Sequence, residues 1–126
     1  NEYMTTALTS YNEKNKNMIE LVICNNDGMA EGAISALKTA GYNTGAEGAK
    51  VIPVFGVDAT EAAKDLISKG QMTGTIKQDA DGMAKAIALL ANNAVSGKAL
   101  MDGTSSYNID NDVAKIRIAY AKYMGK

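Results

Sequence analysis

The sequence of 126 residues contains no histidine, and this absence restricts the chemistry that the protein can perform. Histidine is the commonest general base and metal ligand, and every Ser-His or Cys-His nucleophile arrangement requires it. Carboxylates and lysines remain as catalytic groups, but no nucleophile stands at a sharp strand-to-helix turn. We therefore expect a binding protein rather than an enzyme.

The sequence also has only one cysteine and almost no net charge. The single cysteine, Cys24, excludes an internal disulfide and a cysteine metal cluster. The formal net charge of −1 gives no electrostatic attraction to nucleic acid or to an anionic membrane. No apolar run approaches the roughly 18 residues that a membrane span needs. The length suits one ordinary globular domain, for which we expect no nucleic-acid partner.

No export signal is visible, and the sequence begins at Asn1 rather than at methionine. We expect either that an N-terminal part has been removed or that the chain is a fragment. The missing signal therefore says nothing about the compartment.

Short apolar runs alternate with helical patterns along the chain. Strands are predicted over Ile19–Cys24, Val51–Val57, Thr73–Lys77 and Val113–Tyr120. Helices are predicted over Glu2–Asn15, Gly28–Ala40, the stretch after Thr60, and Asp79–Ser96. The order predicts an α/β fold with a mostly parallel sheet flanked by helices.

Polar side chains follow three of these strands. Asn26 follows the first predicted strand, Asp58 the second and Gln78 the third. In a parallel sheet the carboxyl ends of the strands lie along one edge, where ligands bind. Amides donate and accept hydrogen bonds and carboxylates accept them, so the three residues together suit the hydroxyl groups of a neutral polyol.

Each of these residues also has a simpler structural explanation. Asp27 stands where a helix N-cap belongs, with Asn25 and Asn26 forming a turn before it. Asp58 is a possible cap for the next helix, although Thr60 is an equally good one. The spacing alone leaves both explanations open.

Four segments resemble the sugar-binding proteins of bacterial ABC importers, most of all the members that bind galactose and glucose. The segments are Leu21–Ala33, Ile52–Ala59, Gly74–Asp79 and Asp102–Asn111. The resemblance implies a periplasmic-binding-protein type I fold, in which two α/β lobes joined by three hinge crossings close on a sugar. Such proteins are more than twice as long as this chain, which resembles their C-terminal part.

The resemblance also implies a division of the chain. Residues 1–77 would belong to the C-terminal lobe. Residues 78–107 would form a hinge followed by a helix and a strand of the N-terminal lobe. Residues 108–126 would cross back and add the last strand of the C-terminal lobe.

The family's sugar contacts fall on Asn26, Asp58 and Gln78. Gln78 stands where the galactose and glucose type has asparagine and ribose-binding relatives have glutamine. Glu20 falls on a calcium ligand of the hexose type, whose other ligands would lie N-terminal to this chain, so the ion site would be incomplete here. No other cofactor is implied.

The resemblance implies an exported protein, in the periplasm or anchored as a lipoprotein on the cell surface, with a monosaccharide and an ABC permease as partners. We also expect the chain on its own to self-associate. The alternative is the effector-binding domain of a lactose-repressor-type regulator, which shares the fold. An isolated α/β enzyme is disfavoured by the absence of histidine.

Overall fold

The computed structural model describes residues 1–113 and 115–125. These residues form two compact units: Asn1–Lys77 with the chain from Lys122 onwards, and Gln78–Ala121. The assignment of residues 1–77, 78–107 and 108–126 to two lobes stays a prediction. Within the described ranges, no helix has the length and apolar character needed to cross a membrane.

Four helices and six strands make up the described chain. In order they are α1 (Glu2–Ser10), β1 (Val22–Ile23), α2 (Asp27–Thr39), β2 (Val54–Val57), α3 (Glu61–Ser68), β3 (Gly74–Lys77), α4 (Ala80–Val95), β4 (Asn108–Asp110), β5 (Lys115–Arg117) and β6 (Ala121–Tyr123).

The first unit is built on a sheet whose strands lie in the order β1-β2-β3-β6. β1 is parallel to β2, and β2 is parallel to β3. The helices α1, α2 and α3 belong to the same unit. The predicted α/β class with a mostly parallel sheet is therefore confirmed.

The core of this unit lies between α2 and β2. Ile34 and Leu37 of α2 and Val54 of β2 are almost completely excluded from solvent. Ala30 and Ala33 lie on the same buried face of α2, and their small side chains allow the helix backbone to approach the sheet. Burial of one face of α2 follows from the apolar spacing in its sequence.

Two elements of this unit are shorter than predicted. The helix predicted to Asn15 ends at Ser10, because the Asn12 side chain accepts a hydrogen bond from the Asn15 amide and caps a separate 3₁₀ turn, Glu13–Asn15. The predicted second strand included Pro53, but β2 begins after it. The Pro53 carbonyl still accepts a hydrogen bond from the Val22 amide at 2.9 Å. Proline can accept a hydrogen bond in a sheet but has no amide hydrogen to donate, which explains why β2 begins only after Pro53.

The second unit contains α4 and an antiparallel hairpin of β4 and β5, in which Ile109 lies opposite Ile116. The strand expected within residues 78–107 is not present, because the chain between α4 and Asn108 forms turns. The buried Asn93 side chain holds these turns by donating to the carbonyl oxygens of Leu100 and Asp102.

The strand predicted over residues 113–120 differs from the observed elements. Ala114 of that prediction lies outside the described residues. The described part shows β5 ending at Arg117, and the last strand is β6, which begins at Ala121. Asn111, Asp112 and Val113 form a turn directly after β4, so the hairpin is short, which an apolar pattern alone does not reveal.

A buried asparagine fastens the loop before β2. Asn43 is fully buried with a φ of 48°. Its Nδ2 donates to the carbonyl oxygens of Ile52 and Gln71 at 2.8 and 2.9 Å, and its Oδ1 accepts from the Ile52 amide at 2.9 Å. Asparagine tolerates the left-handed conformation better than most residues. The backbone conformation of Asn43 and the hydrogen bonds of its side chain therefore stabilise the same conformation of the loop.

We predict that Asn43→Ala lowers the free energy of unfolding by about 2–4 kcal/mol, because it leaves buried backbone groups without hydrogen bonds. Urea unfolding followed by circular dichroism measures the change. Asn17→Ala, at an exposed position of the same unit, is the control and should change stability by about 0.5 kcal/mol or less. Equal losses for the two variants would contradict the anchoring role of Asn43.

Candidate functional site

The carboxyl edge of the first unit's sheet carries two of the predicted contact residues. Val22 pairs with Val54 and Ile23 with Phe55 in parallel register, so β1 and β2 end at the same edge. Asn26 lies in the turn after β1, and Asp58 directly follows β2. The structure therefore brings the two turns to one edge of the sheet, where ligands bind in α/β proteins.

Asn26, not Asp27, is the N-cap of α2. The Asn26 backbone is extended, and its Oδ1 accepts a hydrogen bond from the Met29 amide at 2.9 Å. The prediction that Asp27 caps this helix is wrong, because Asp27 is already the first helical residue. Among the described residues, the Asn26 Nδ2 donates no hydrogen bond, so the amide keeps a donor for a ligand.

Asp27 instead joins three segments of the first unit from a fully buried position. Its Oδ1 accepts a hydrogen bond from the Thr75 hydroxyl of β3 at 2.6 Å, and its Oδ2 accepts one from the Thr60 amide at 2.8 Å. Sequence reasoning missed this role. The partners lie 48 and 33 positions away, and no local pattern signals such contacts.

Asp58 is exposed and sits in a turn of unusual backbone geometry. Its φ is 118° and that of Ala59 is 56°, both in the left-handed region that non-glycine residues rarely adopt. The Asp58 amide donates to the carbonyl oxygen of Ile76 at 2.8 Å. Thr60 caps α3, since its hydroxyl accepts from the Ala63 amide at 3.1 Å, so the possibility that Asp58 is the cap is excluded.

Gln78 follows β3 directly and is half-buried in the second unit. Its carbonyl oxygen accepts a hydrogen bond from the Ala80 amide at 3.1 Å. Asp79 caps α4 by accepting from the Gly82 amide at 3.0 Å. The cap of α4 is therefore Asp79, and the Gln78 side chain is not needed for it.

A cavity of about 540 Å³ lies in the second unit, but Gln78 does not line it. Its walls come from the start of α4 and from the hairpin, and they include Asp79, Met83, Asn108, Ile116, Arg117 and Tyr120. Most of the exposed lining is apolar, which does not match the hydroxyl-rich surface of a sugar. None of the three predicted contact residues lines this cavity.

Glu20 is exposed and precedes β1. Calcium takes six to eight oxygen ligands. Within the part of the chain that the structure describes, no group of three or more acidic, cysteine or histidine side chains could hold a metal ion. The residues present therefore do not fit calcium by themselves, and Glu20 as a calcium ligand stays a prediction.

Cys24 lies between β1 and Asn25 and is half-buried against the core. Burial raises the pKa of its thiol. The thiol therefore stays protonated at neutral pH, and a protonated thiol is a poor nucleophile. Cys24 therefore behaves as a small apolar side chain at the end of the strand.

Chemically, the edge offers an amide donor at Asn26 and a carboxylate acceptor at Asp58. A carboxylate can accept hydrogen bonds from two adjacent hydroxyl groups through its two oxygens. The arrangement is suited to hydrogen bonding with a neutral, hydroxyl-rich ligand.

Comparison with known proteins shows the family of the chain and two of its relatives. Residues 1–99 match the family described as periplasmic binding protein domain. The chain is 46% identical over 88 residues to the D-galactose/methyl-galactoside binding periplasmic protein MglB of Haemophilus influenzae, covering 70% of this chain and 24% of that protein. It is 37% identical over 93 residues to the D-allose-binding periplasmic protein of Escherichia coli, covering 73% and 28%.

Solved structures show the same fold. A solute-binding protein of an ABC transporter from Burkholderia multivorans superposes with a TM-score of 0.60 at 25% identity, covering 80% of this chain and 32% of that one. A twin-arginine translocation pathway signal protein from Burkholderia phytofirmans superposes with a TM-score of 0.68 at 23% identity, covering 98% and 34%.

The chain spans about a quarter of the length of the curated relatives it matches. The family match covers residues 1–99, which include β1, β2, β3 and the three predicted contact residues. The chain belongs to the periplasmic binding protein family.

Proposed function

We propose that the chain supplies part of the monosaccharide site of an ABC importer's solute-binding protein. Asn26 donates to, and Asp58 accepts from, hydroxyl groups of an aldohexose, and Gln78 adds a further contact. The observation that carries the proposal is the exposed Asp58 carboxylate, held in a left-handed turn at the carboxyl edge of a parallel sheet. Strained backbone of this kind persists where surrounding structure fixes it, and it concentrates at binding sites.

The names of the relatives support a hexose as the class of sugar. The Haemophilus protein is named for D-galactose and methyl-galactoside and the Escherichia coli protein for D-allose, so hexoses are the first ligands to test. Galactose or glucose is our specific proposal, since the four segments named above resemble that type most. D-ribose is included in the test because of Gln78.

The mechanism involves binding without covalent chemistry. Closure of two lobes buries the sugar's hydroxyl groups in hydrogen bonds, and the closed form presents a new surface to the permease. On this proposal the protein acts outside the cytoplasm, in the periplasm or anchored at the cell surface.

We predict that Asp58→Asn in the longer protein lowers sugar affinity about 10- to 100-fold, since hydrogen bonds to a charged group contribute about 1.5–3 kcal/mol. Asparagine keeps the shape of the side chain and tolerates positive φ, so the unfolding midpoint should change little. Titration calorimetry with D-galactose, D-glucose, D-allose and D-ribose measures the affinity.

The control is Asp65→Asn, which removes the same charge from an exposed ion pair with Lys69 on α3. It should leave the affinity unchanged. Equal affinities for the unaltered protein and Asp58→Asn would remove Asp58 from the site. Absence of a saturable signal with every sugar would overturn the proposed ligand class.

We also propose that the 126-residue chain, taken alone, associates with itself and does not bind sugar usefully. Ile87 and Val95 of α4 are 67% and 89% exposed, and Ile23 of the edge strand β1 is 75% exposed. Exposed apolar side chains on a helix, and an open strand edge, favour association. A sugar contacted on one side only exchanges water hydrogen bonds for protein ones, with a net gain of about 1 kcal/mol or less for each.

We predict concentration-dependent sedimentation of the purified chain at micromolar concentration. Ile87→Lys should shift the chain towards the monomer by placing a charge on the apolar face of α4. Ala88→Lys, which adds the same charge on the face shared with Asp81 and Lys85, should not. A monomer at all concentrations, with saturable binding of millimolar galactose or glucose, would contradict this proposal.

A further inference from the structure

The turn that carries Asp58 is held by three consecutive backbone amides. The Asp58 amide donates to the carbonyl oxygen of Ile76 at 2.8 Å, and the Ala59 amide to the Thr75 hydroxyl oxygen at 3.3 Å. The Thr60 amide donates to the Asp27 Oδ2 at 2.8 Å. A left-handed conformation at two adjacent non-glycine residues costs free energy, so these hydrogen bonds are what maintain it.

The hydrogen bonds of two of these three amides depend on Asp27. The Thr75 hydroxyl has a single hydrogen, which it donates to the Asp27 Oδ1 at 2.6 Å. Its lone pairs are then directed to accept from the Ala59 amide. If Oδ1 could not accept, the hydroxyl hydrogen would turn to another acceptor, and its lone pairs would no longer be directed at the Ala59 amide, which would weaken that hydrogen bond. Asp27 therefore acts on Ala59 through Thr75 and on Thr60 directly.

Both oxygens of Asp27 must accept hydrogen bonds in this arrangement. A carboxylate can do so, whereas an asparagine side chain would place its NH₂ group either against the Thr60 amide, where two donors would meet, or against the Thr75 oxygen, whose own hydrogen would then need another acceptor. Gly56 of β2 provides the space, because a Cβ added there would overlap the Asp27 Oδ1. Asp27 itself is completely buried, so it cannot contact a ligand at the exposed edge.

We infer that Asp27 is a positioning residue for the sugar site: its carboxylate, through Thr75 and the Thr60 amide, holds the backbone that aims the Asp58 side chain. The inference rests on the proposed function, because it concerns the affinity of that same site. Asp27 sets the affinity without touching the ligand, and its effect passes through Asp58.

A double-mutant cycle tests this route of action. We expect Asp27→Asn to lower the affinity for D-galactose about 10-fold in the longer protein, measured by calorimetry. In a protein that already carries Asp58→Asn, the same change should lower affinity less than about twofold, because the side chain that it positions has been altered. A merely structural role would give the same factor in both backgrounds.

Ile34→Val is the matched control for lost stability. Ile34 is buried in the same helix, and its truncation weakens the core without touching the turn. It should lower the unfolding midpoint and leave the affinity unchanged. An affinity loss for Ile34→Val comparable to that for Asp27→Asn would overturn the inference.

Thr75 provides a second pair of variants in case Asp27→Asn does not fold. Thr75→Val keeps the shape and removes the hydroxyl, so it should lower the affinity. Thr75→Ser restores the hydroxyl and should regain most of it. If the unaltered protein binds sugar and neither Asp27→Asn nor Thr75→Val changes the affinity, the inference about Asp27 is wrong while the proposed function still stands. If the unaltered protein binds none of the sugars, the proposed function fails with it.

Discussion

The buried carboxylate of Asp27 is the interaction on which the candidate site depends. It joins the start of α2 to β3 through the Thr75 hydroxyl and to the turn before α3 through the Thr60 amide. Three segments distant in sequence thereby meet at the carboxyl edge of the sheet. Gly56 is part of the same constraint, since any side chain at that position would occupy the space of the carboxylate. Removal of this one group would leave the Thr60 amide without its acceptor and the Thr75 hydroxyl without its own.

Sequence patterns predicted the elements that depend on local chemistry. The apolar runs before Asn26, Asp58 and Gln78 end approximately where β1, β2 and β3 end, because short β-branched runs are typical of strands in a parallel sheet. Thr60 and Asp79 were recognisable as helix caps for the same reason: a cap bonds to amides within the next turn. The polar residues at the sheet edge could therefore be identified before the structure was known.

What the sequence could not reveal depends on contacts between distant residues. Asn26 and Asp27 are both good capping residues, and their spacing does not show which one caps α2. The choice is made by Thr75 and Thr60, which draw the Asp27 side chain inwards and leave Asn26 to bond the helix. The left-handed turn at Asp58 was unpredictable for a related reason, because hydrogen bonds to residues distant in sequence help to maintain it. The β4–β5 hairpin was missed because its strands are short and contain no buried residue.

The placement of Asp27 also bears on the charge of the ligand. The amino ends of α2 and α3 meet at this edge, and helix N-termini by themselves favour anions such as phosphate. Asp27 is the first residue of α2 and accepts from the N-cap amide of α3, so its carboxylate already occupies the favourable potential of both helices. The same potential stabilises the carboxylate, which helps to explain how it is tolerated in a fully buried position. With Asp58 adding a second negative charge at the surface, an anionic ligand would be repelled. Neutral hydroxyl groups, which can donate to Asp58 and accept from Asn26, are the chemistry that remains favourable at this edge.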